Sequence, residues 1–115
     1  MSHVSRIKTQ MVEQEYLLQA LTDLGYAHSQ TAGKIAVRTK LFSGAITFQK
    51  SGSAYECVAD WYMVRGIEQK TFLQQVAQRY AYHATLAKLA EQGFSLVNEE
   101  VQEGNRLHLQ LRRMA

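Results

Sequence analysis

The sequence predicts an α+β fold in which an antiparallel sheet carries two helices on one face, in the order βαβββαββ. Three observations lead to this prediction. Two stretches, residues 12–24 and 71–92, have the three-four apolar spacing of helices, and each is followed by a glycine. Shorter segments around them alternate apolar and polar residues, as strands with one solvated face do. The last two of these segments flank Glu103-Gly104-Asn105, a connection typical of a hairpin.

The strands are predicted from alternation and the gaps between them from small polar residues. Strands are expected at residues 5–11, 34–42, 45–50, 55–64, 95–101 and 106–112. Residues 27–33 are small and polar, and we interpret them as a loop or a weak edge segment. The last strand gives the cleanest signal, because Leu107, Leu109 and Leu111 alternate with polar residues.

The composition indicates one folded domain. The chain has 115 residues, 46% hydrophobic and 20% charged. It contains no run of about 18 apolar residues that would predict a membrane-spanning helix. Its N-terminus lacks the apolar core of a secretory signal. Its one cysteine, Cys57, leaves no internal disulfide and favours a reducing compartment, so we expect a cytoplasmic protein.

The two helix ends are similar to each other. The segment LQALTDLGY at residues 18–26 parallels LAKLAEQGF at residues 86–94. This similarity suggests that the single domain, residues 1–115, is built from two strand-helix-strand-strand units at about residues 5–50 and 55–113. Two helices that stop in the same way explain it equally well.

The second helix has an apolar arc that is wider than one sheet face needs. One side carries Phe72, Val76, Tyr80, His83, Ala87, Ala90 and Phe94. A second shoulder is formed by Tyr82, Leu86 and Leu89. The surplus predicts either burial against the first helix or a surface for a protein partner or a second copy of the chain.

No catalytic constellation is evident, and the sequence therefore favours a protein that is not an enzyme. His83 is the sharpest local feature, and with Tyr62 and Tyr80 it is a candidate lining of a small-molecule or cofactor cleft between sheet and helices. A core histidine with satisfied ring nitrogens explains His83 more simply. No spacing predicts a metal site, and no cofactor is predicted.

Basic residues give a third candidate site. Lys34, Arg38 and Lys40 lie on or near one predicted strand, with Phe42 and Phe48 close by in sequence. Such a surface is a candidate for weak single-stranded nucleic-acid binding. A solvated strand face explains it more simply, because the net charge of +3 is scattered along the chain and not gathered into a stripe.

Four segments together resemble one family. They are the opening MSHVSRIKT, LTDLG at residues 21–25, QRYAYH at residues 78–83 and QGF at residues 92–94. The chain resembles the Ycf thirty-five family, a conserved reading frame of plastids and cyanobacteria, over nearly its whole length and least from residue 27 to 53. The resemblance implies a cyanobacterial, cyanophage or plastid-related origin, with the plastid stroma as an alternative location. It implies no catalytic residues. Family members often end in a strand that contains tryptophan, whereas this chain ends in RRMA.

These observations lead to one functional hypothesis and two alternatives. We expect a non-enzymatic accessory or interaction protein that acts through a helix face or an exposed sheet edge. The alternatives are a small-molecule or cofactor binder and a weak single-stranded nucleic-acid binder.

Overall fold

The computed structural model describes residues 4–38, 43–64 and 66–114. Seven strands and two helices lie within them: β1 (Val4–Lys8), α1 (Gln14–Asp23), β2 (Ala27–Thr31), β3 (Lys34–Arg38), β4 (Ser43–Ser51), β5 (Ala54–Asp60), α2 (Gln69–Glu91), β6 (Phe94–Gln102) and β7 (Arg106–Arg113). The chain divides into two compact units, Met1–Ala81 and Tyr82–Ala115, which we call the N-terminal and C-terminal units. Helix α2 contributes to both of them.

The N-terminal unit holds a five-stranded sheet in the order β1-β5-β4-β3-β2, in which every neighbouring pair is antiparallel. An apolar row crosses four of its strands, each residue opposite the next: Ile7, Cys57, Phe48 and Ile35. Because side chains alternate along a strand, such rows define one apolar face and one polar face.

Both helices pack on the apolar face, as predicted. The buried hydrophobic side chains of the described residues are Met11, Leu17, Ala20, Leu21, Ile35, Val37, Ile46, Phe48, Tyr55, Cys57, Ala59, Val64, Phe72 and Val76. Helix α1 contributes Leu17, Ala20 and Leu21 to this core, and α2 contributes Phe72 and Val76. The three-four spacing of these residues is the reason that each helix turns one stripe to the sheet.

Glycine ends α1 as the sequence predicts. Gly25 has a φ of +81°, a left-handed conformation that residues with a Cβ rarely adopt. The chain then folds back, and the Tyr26 N–H donates to the Leu21 carbonyl at 2.9 Å. The Gly25 N–H donates to the Thr22 carbonyl at 3.0 Å, so the last carbonyls of the helix are satisfied.

The C-terminal unit consists of residues 82–91 of α2 and the hairpin of β6 and β7, which form a separate two-stranded sheet. The predicted hairpin is confirmed. Its turn, Glu103–Asn105, contains Gly104 at a φ of +78°. Gly93, at a φ of +89°, separates α2 from β6.

The α+β class is confirmed, and the order of elements differs from the prediction by one strand. Residues of the expected loop or weak edge segment form β2, the outermost strand of the five-stranded sheet. Strand β2 joins β3 through Ala32 and Gly33, which have φ values of +46° and +81° and so make the tight turn that suits a hairpin. Alanine rarely takes this conformation, which is why the turn has no clear signal in the sequence.

Two strands are shorter than predicted. β1 ends at Lys8 and β5 ends at Asp60, where the Met63 N–H donates to the Asp60 carbonyl in a turn. The part of the predicted strand 34–42 that follows Arg38 lies outside the described residues. The division of the domain into two strand-helix-strand-strand units stays a prediction.

Candidate functional site

The β6–β7 hairpin has one apolar face and one polar face. Four cross-strand pairs share the apolar face: Phe94–Arg113, Leu96–Leu111, Glu99–Leu109 and Val101–Leu107. A β-bulge between Leu96 and Asn98 shifts the alternation of β6 by one residue. Because of this shift, Leu96 shares a face with Val101, and the leucines of β7 meet apolar partners at both ends of the hairpin.

Tyr82 links α2 to the apolar face of the hairpin. Its hydroxyl donates to a carboxylate oxygen of Glu99 at 2.7 Å, and its ring lies 5.1 Å from the ring of His83. Glu99 lies opposite Leu109. The bond therefore ties the start of this part of α2 to the side of the hairpin that carries the leucines of β7.

The predicted partner surface falls in this unit. Tyr82, Leu86 and Leu89 are all half-buried. The leucines at positions 107, 109 and 111 are half-buried too, while Leu96 is 36% exposed and Val101 is 65% exposed. We call the set Leu86, Leu89, Leu107, Leu109 and Leu111 the leucine face.

No described side chain of residues 82–114 is buried. The unit gathers apolar side chains from one helix and two strands, yet it fully excludes water from none of the described ones. A two-stranded sheet is marginally stable by itself, and it needs further strands or a packed helix to form a core. The leucine face is therefore an incomplete core, and it is the strongest candidate for a functional surface.

Tyr80, which we predicted as part of a ligand cleft, holds the start of α1. Its hydroxyl accepts hydrogen bonds from the Val12 N–H at 3.0 Å and the Glu13 N–H at 2.8 Å. Its ring makes an edge contact with Tyr16 at 5.8 Å. Glu13 gives no side-chain cap to α1, so Tyr80 supplies the acceptor at this helix end. Sequence reasoning missed this role, because the partners lie 67 and 68 residues apart.

The other two residues of the predicted cleft lie in different places. Tyr62 is 77% exposed and follows β5, where its N–H donates to the Asp60 carboxylate at 3.1 Å. His83 belongs to the C-terminal unit and is half-buried. Surface clefts formed by described residues include two with other linings. One, of about 450 Å³, is lined by Gln14, Glu15, Leu18, Gln19 and Gln30, and one of about 320 Å³ by Tyr26, Gly66, Ile67, Glu68, Thr71, Phe72 and Gln75. A ligand cleft at Tyr62, Tyr80 and His83 stays a prediction.

Two of the three predicted nucleic-acid residues share the polar face of the five-stranded sheet. Lys34 and Arg38 are both exposed. Each lies two residues from Ala36 on β3, and because side chains alternate along a strand, both lie on the same side of the sheet as Ala36. Lys34 lies opposite Gln49, Gln49 lies opposite Glu56, and Glu56 lies opposite Lys8, so Lys34 and Lys8 belong to one row across the sheet. Lys40 lies outside the described residues.

Glu56 is a buried carboxylate on this polar face. It is 7% exposed and accepts hydrogen bonds from Gln49 at 2.8 Å and Arg6 at 2.9 Å. The Gln49 hydrogen bond is the main cause that lowers the pKa of Glu56; burial opposes it, and Arg6 adds to it. The alternation of β5 predicts which face of the sheet Glu56 lies on. It does not predict that Glu56 is buried, because the burial depends on the neighbouring strands β1 and β4, which carry Arg6 and Gln49.

Cys57 lies in the core. Burial raises the pKa of its thiol to about 12, so the side chain acts as a small hydrophobe and not as a nucleophile. In the described part of the chain, no three or more His, Cys, Asp or Glu side chains form a group that could hold a metal ion. No described helix is long and apolar enough to cross a membrane.

The fold and the leucine face define an α+β protein with a well-packed five-stranded sheet and a helix-hairpin unit that has an open apolar face. The chain belongs to the family described as "Protein of unknown function (DUF1257)", whose profile matches residues 6–109. That match extends over the N-terminal unit from β1 onward and over most of the hairpin.

Relatives confirm the resemblance to the Ycf thirty-five family. "Uncharacterized protein ycf35" of Guillardia theta is 34% identical, and the alignment covers 98% of each chain. The proteins of the same name from Cyanophora paradoxa and Pyropia yezoensis are 29% and 27% identical over the same share of both chains. No solved structure matches this chain.

Proposed function

We propose that this protein is a non-enzymatic accessory protein that binds another protein through its leucine face. The single observation that supports this proposal is the incomplete core of residues 82–114. Apolar residues from α2, β6 and β7 are gathered there, but none of the described ones is buried. A partner that covers them would remove apolar surface from water, which is the main driving force of most protein association.

An exposed apolar residue of the same face fits the proposal. Val101, opposite Leu107, is 65% exposed. Polar residues of β6 and β7 occupy the opposite face of the hairpin. The hairpin therefore offers one apolar side to a partner and keeps a polar side for water.

Two matched substitutions in α2 test the proposal. Leu86→Asp puts a charge into the leucine face, whereas Thr85→Asp puts the same charge at an exposed position of the same helix. We expect the wild-type chain and Thr85→Asp to recover the same partner from an extract of the source organism, and Leu86→Asp to lose it. Equal recovery by both variants would contradict the proposal.

The recovered partner then provides a second readout. Hydrogen exchange of residues 82–113 should slow when the purified partner is added, because covering the leucine face suppresses local opening. Slowing confined to the N-terminal unit would show that the partner binds elsewhere.

A second candidate function, weak single-stranded nucleic-acid binding, is favoured by the shared face of Lys34 and Arg38. The described residues of that face include no aromatic side chain, so contacts would be to phosphates and not to stacked bases. Such binding weakens steeply with salt. We expect retention on heparin at low salt that is reduced by K34E with R38E, and a wild-type chain that flows through would remove this candidate.

A further inference from the structure

Strand β7 carries charge of one sign. It contains Arg106, Arg112 and Arg113 and no acidic residue. The residues opposite these arginines on β6 are Gln102, Ser95 and Phe94, none of which is acidic. The Arg113 guanidinium lies 5.1 Å from the centre of the Phe94 ring, over its face. None of these arginines therefore has an acidic residue directly opposite it, although Glu100, opposite His108, shares the face of Arg106.

Among the described strands, β7 pairs with β6 alone, so one of its edges has no strand beside it. The Met114 N–H donates to the Gly93 carbonyl at 2.6 Å. Gly93 and Met114 follow directly after the last pair of the ladder, Phe94–Arg113, so they form a hydrogen-bonded pair. In an antiparallel ladder, hydrogen-bonded and non-hydrogen-bonded pairs alternate. The backbone groups of Leu107, Leu109 and Leu111 therefore point away from β6, towards the open edge.

The side chains along this edge alternate between two faces. The three leucines lie on the apolar face together with Arg113, which is held over the Phe94 ring, and Arg106 and Arg112 lie on the opposite face. A strand added antiparallel to β7 would place its own apolar residues beside the leucines. Its alternate residues would then lie beside the two arginines, where acidic side chains give a favourable cross-strand pair.

A second copy of the chain does not fit this edge. Pairing two β7 strands about a twofold axis, in the register that matches the three leucines, puts Arg106 of each copy opposite Arg112 of the other. Like charges directly opposite each other destabilise a sheet. Basic residues on an edge strand discourage association of identical chains, and the same residues select an acidic partner.

We propose that the open edge of β7 accepts an extended, antiparallel segment of a partner protein that alternates apolar and acidic residues. This inference rests on the proposed function, because the apolar residues of the added strand would extend the leucine face. The backbone of β7 supplies affinity through Leu107, Leu109 and Leu111, while Arg106 and Arg112 supply specificity.

A pair of synthetic peptides tests the charge preference. One alternates leucine with glutamate and the other leucine with lysine, both labelled with a fluorophore and eight residues long to match β7. We expect the full-length chain to bind the glutamate peptide and not the lysine peptide in fluorescence anisotropy, with binding that weakens as salt is added. Equal binding of both peptides, or binding of neither, would overturn the proposal.

Charge reversal on β7 makes the test specific. The double variant R106E with R112E should bind the glutamate peptide about tenfold or more weakly and should now prefer the lysine peptide. Both arginines are exposed, so the variant keeps the fold, which circular dichroism checks. A preference that does not change on reversal would place the peptide elsewhere.

N-methylation of the peptide tests the backbone pairing. The new backbone hydrogen bonds would join the leucines of β7 to the peptide residues directly opposite them. In the proposed register, those peptide residues are leucines. Methylating their nitrogens should abolish binding, whereas methylating the glutamate nitrogens should leave it. Identical effects of the two modifications would show that no strand is added.

The outcomes separate this inference from the proposed function. If the peptides fail but the natural partner still depends on Leu86, the β7 edge is wrong and the leucine face remains. If the partner ignores Leu86, the proposed function fails. A chain that sediments as a dimer and becomes monomeric in Leu109→Asp would show that the face is covered by a second copy, which also overturns the proposal.

Discussion

The N-terminal and C-terminal units are made of the same kinds of element, but they bury them to different degrees. In Met1–Ala81, two helical segments pack on a five-stranded sheet, and fourteen hydrophobic side chains of the described residues are buried. In the described part of Tyr82–Ala115, a helical segment faces a two-stranded sheet and no side chain is buried. Three more strands account for the difference, since each adds apolar side chains that the helices can cover.

The N-terminal unit therefore supplies most of the buried core, whereas the C-terminal unit carries the candidate binding surface. A unit of about 40 residues or fewer rarely stabilises itself without a disulfide, a metal or a partner. The C-terminal unit shares α2 with the N-terminal unit, so its helix is anchored by Phe72 and Val76. In the described part of its hairpin no side chain is buried.

Cys57 gives the largest expected effect, because it reports opening of the N-terminal unit. Burial raises the pKa of its thiol from 9.0 to about 12, which lowers the thiolate fraction roughly a thousandfold near neutral pH. We expect Cys57 to react with iodoacetamide at pH 8 at least about a thousandfold more slowly in the native chain than in urea. Similar rates in the two conditions would show that this core opens readily.

Alanine substitutions in the two units should differ strongly in their effect on stability. Phe48 is fully buried, and Phe48→Ala should lower the free energy of unfolding by about 3–5 kcal/mol. Leu109 is half-buried, and Leu109→Ala should lower it by about 1 kcal/mol or less. Urea titration of both variants measures the two values. A loss at Leu109 as large as that at Phe48 would mean that the C-terminal unit has a core of its own.

Tyr80 sharpens the comparison, since it lies at the last turn of α2 that belongs to the N-terminal unit. Tyr80→Phe keeps the ring contact with Tyr16 but removes the acceptor for the Val12 and Glu13 N–H groups. We expect a loss of about 1 kcal/mol in urea titration, because both donors lie near water that partly replaces the hydroxyl. A Tyr80→Phe variant as stable as the wild type would argue against a capping role.

Glu56 should make the stability of the N-terminal unit depend on pH. Its pKa is lowered in the folded state, chiefly by the Gln49 hydrogen bond, so its ionised form favours folding. That contribution is present above its ordinary pKa of 4.5 and is lost as pH falls through the lower, folded value. We expect the stability difference between wild type and Glu56→Gln to be largest near neutral pH and to shrink below pH 4.5. A difference that is constant with pH would contradict the account of Glu56.

Local patterns in the sequence predict the elements and much of the core. The three-four spacing of Leu17 and Leu21 predicts the buried stripe of α1, and Gly25 and Gly93 predict where both helices stop. The alternation of β7 predicts its two faces. These features depend on neighbours within a few residues, which is why single-sequence reasoning finds them.

The features that the sequence did not reveal depend on contacts between distant residues. Strand β2 is held by its pairing with β3, Tyr80 by its bonds to residues 67 and 68 positions away, and Glu56 by side chains from two neighbouring strands. Periodicity showed the surplus apolar shoulder of α2 at Tyr82, Leu86 and Leu89. It did not show that the leucines of β7 belong to the same unit, because that depends on the contacts of residues far apart in the chain.

Hydrogen exchange of the free protein tests most directly the claim that the C-terminal unit has an incomplete core. Amides of β4 and β5 should exchange only when the N-terminal unit unfolds globally, because their strands lie inside the five-stranded sheet. Amides of β6 and β7 should exchange by local opening, at rates at least about a hundredfold faster. Equal protection of β5 and β7, lost together in urea, would show that residues 82–114 are already covered and would contradict the account.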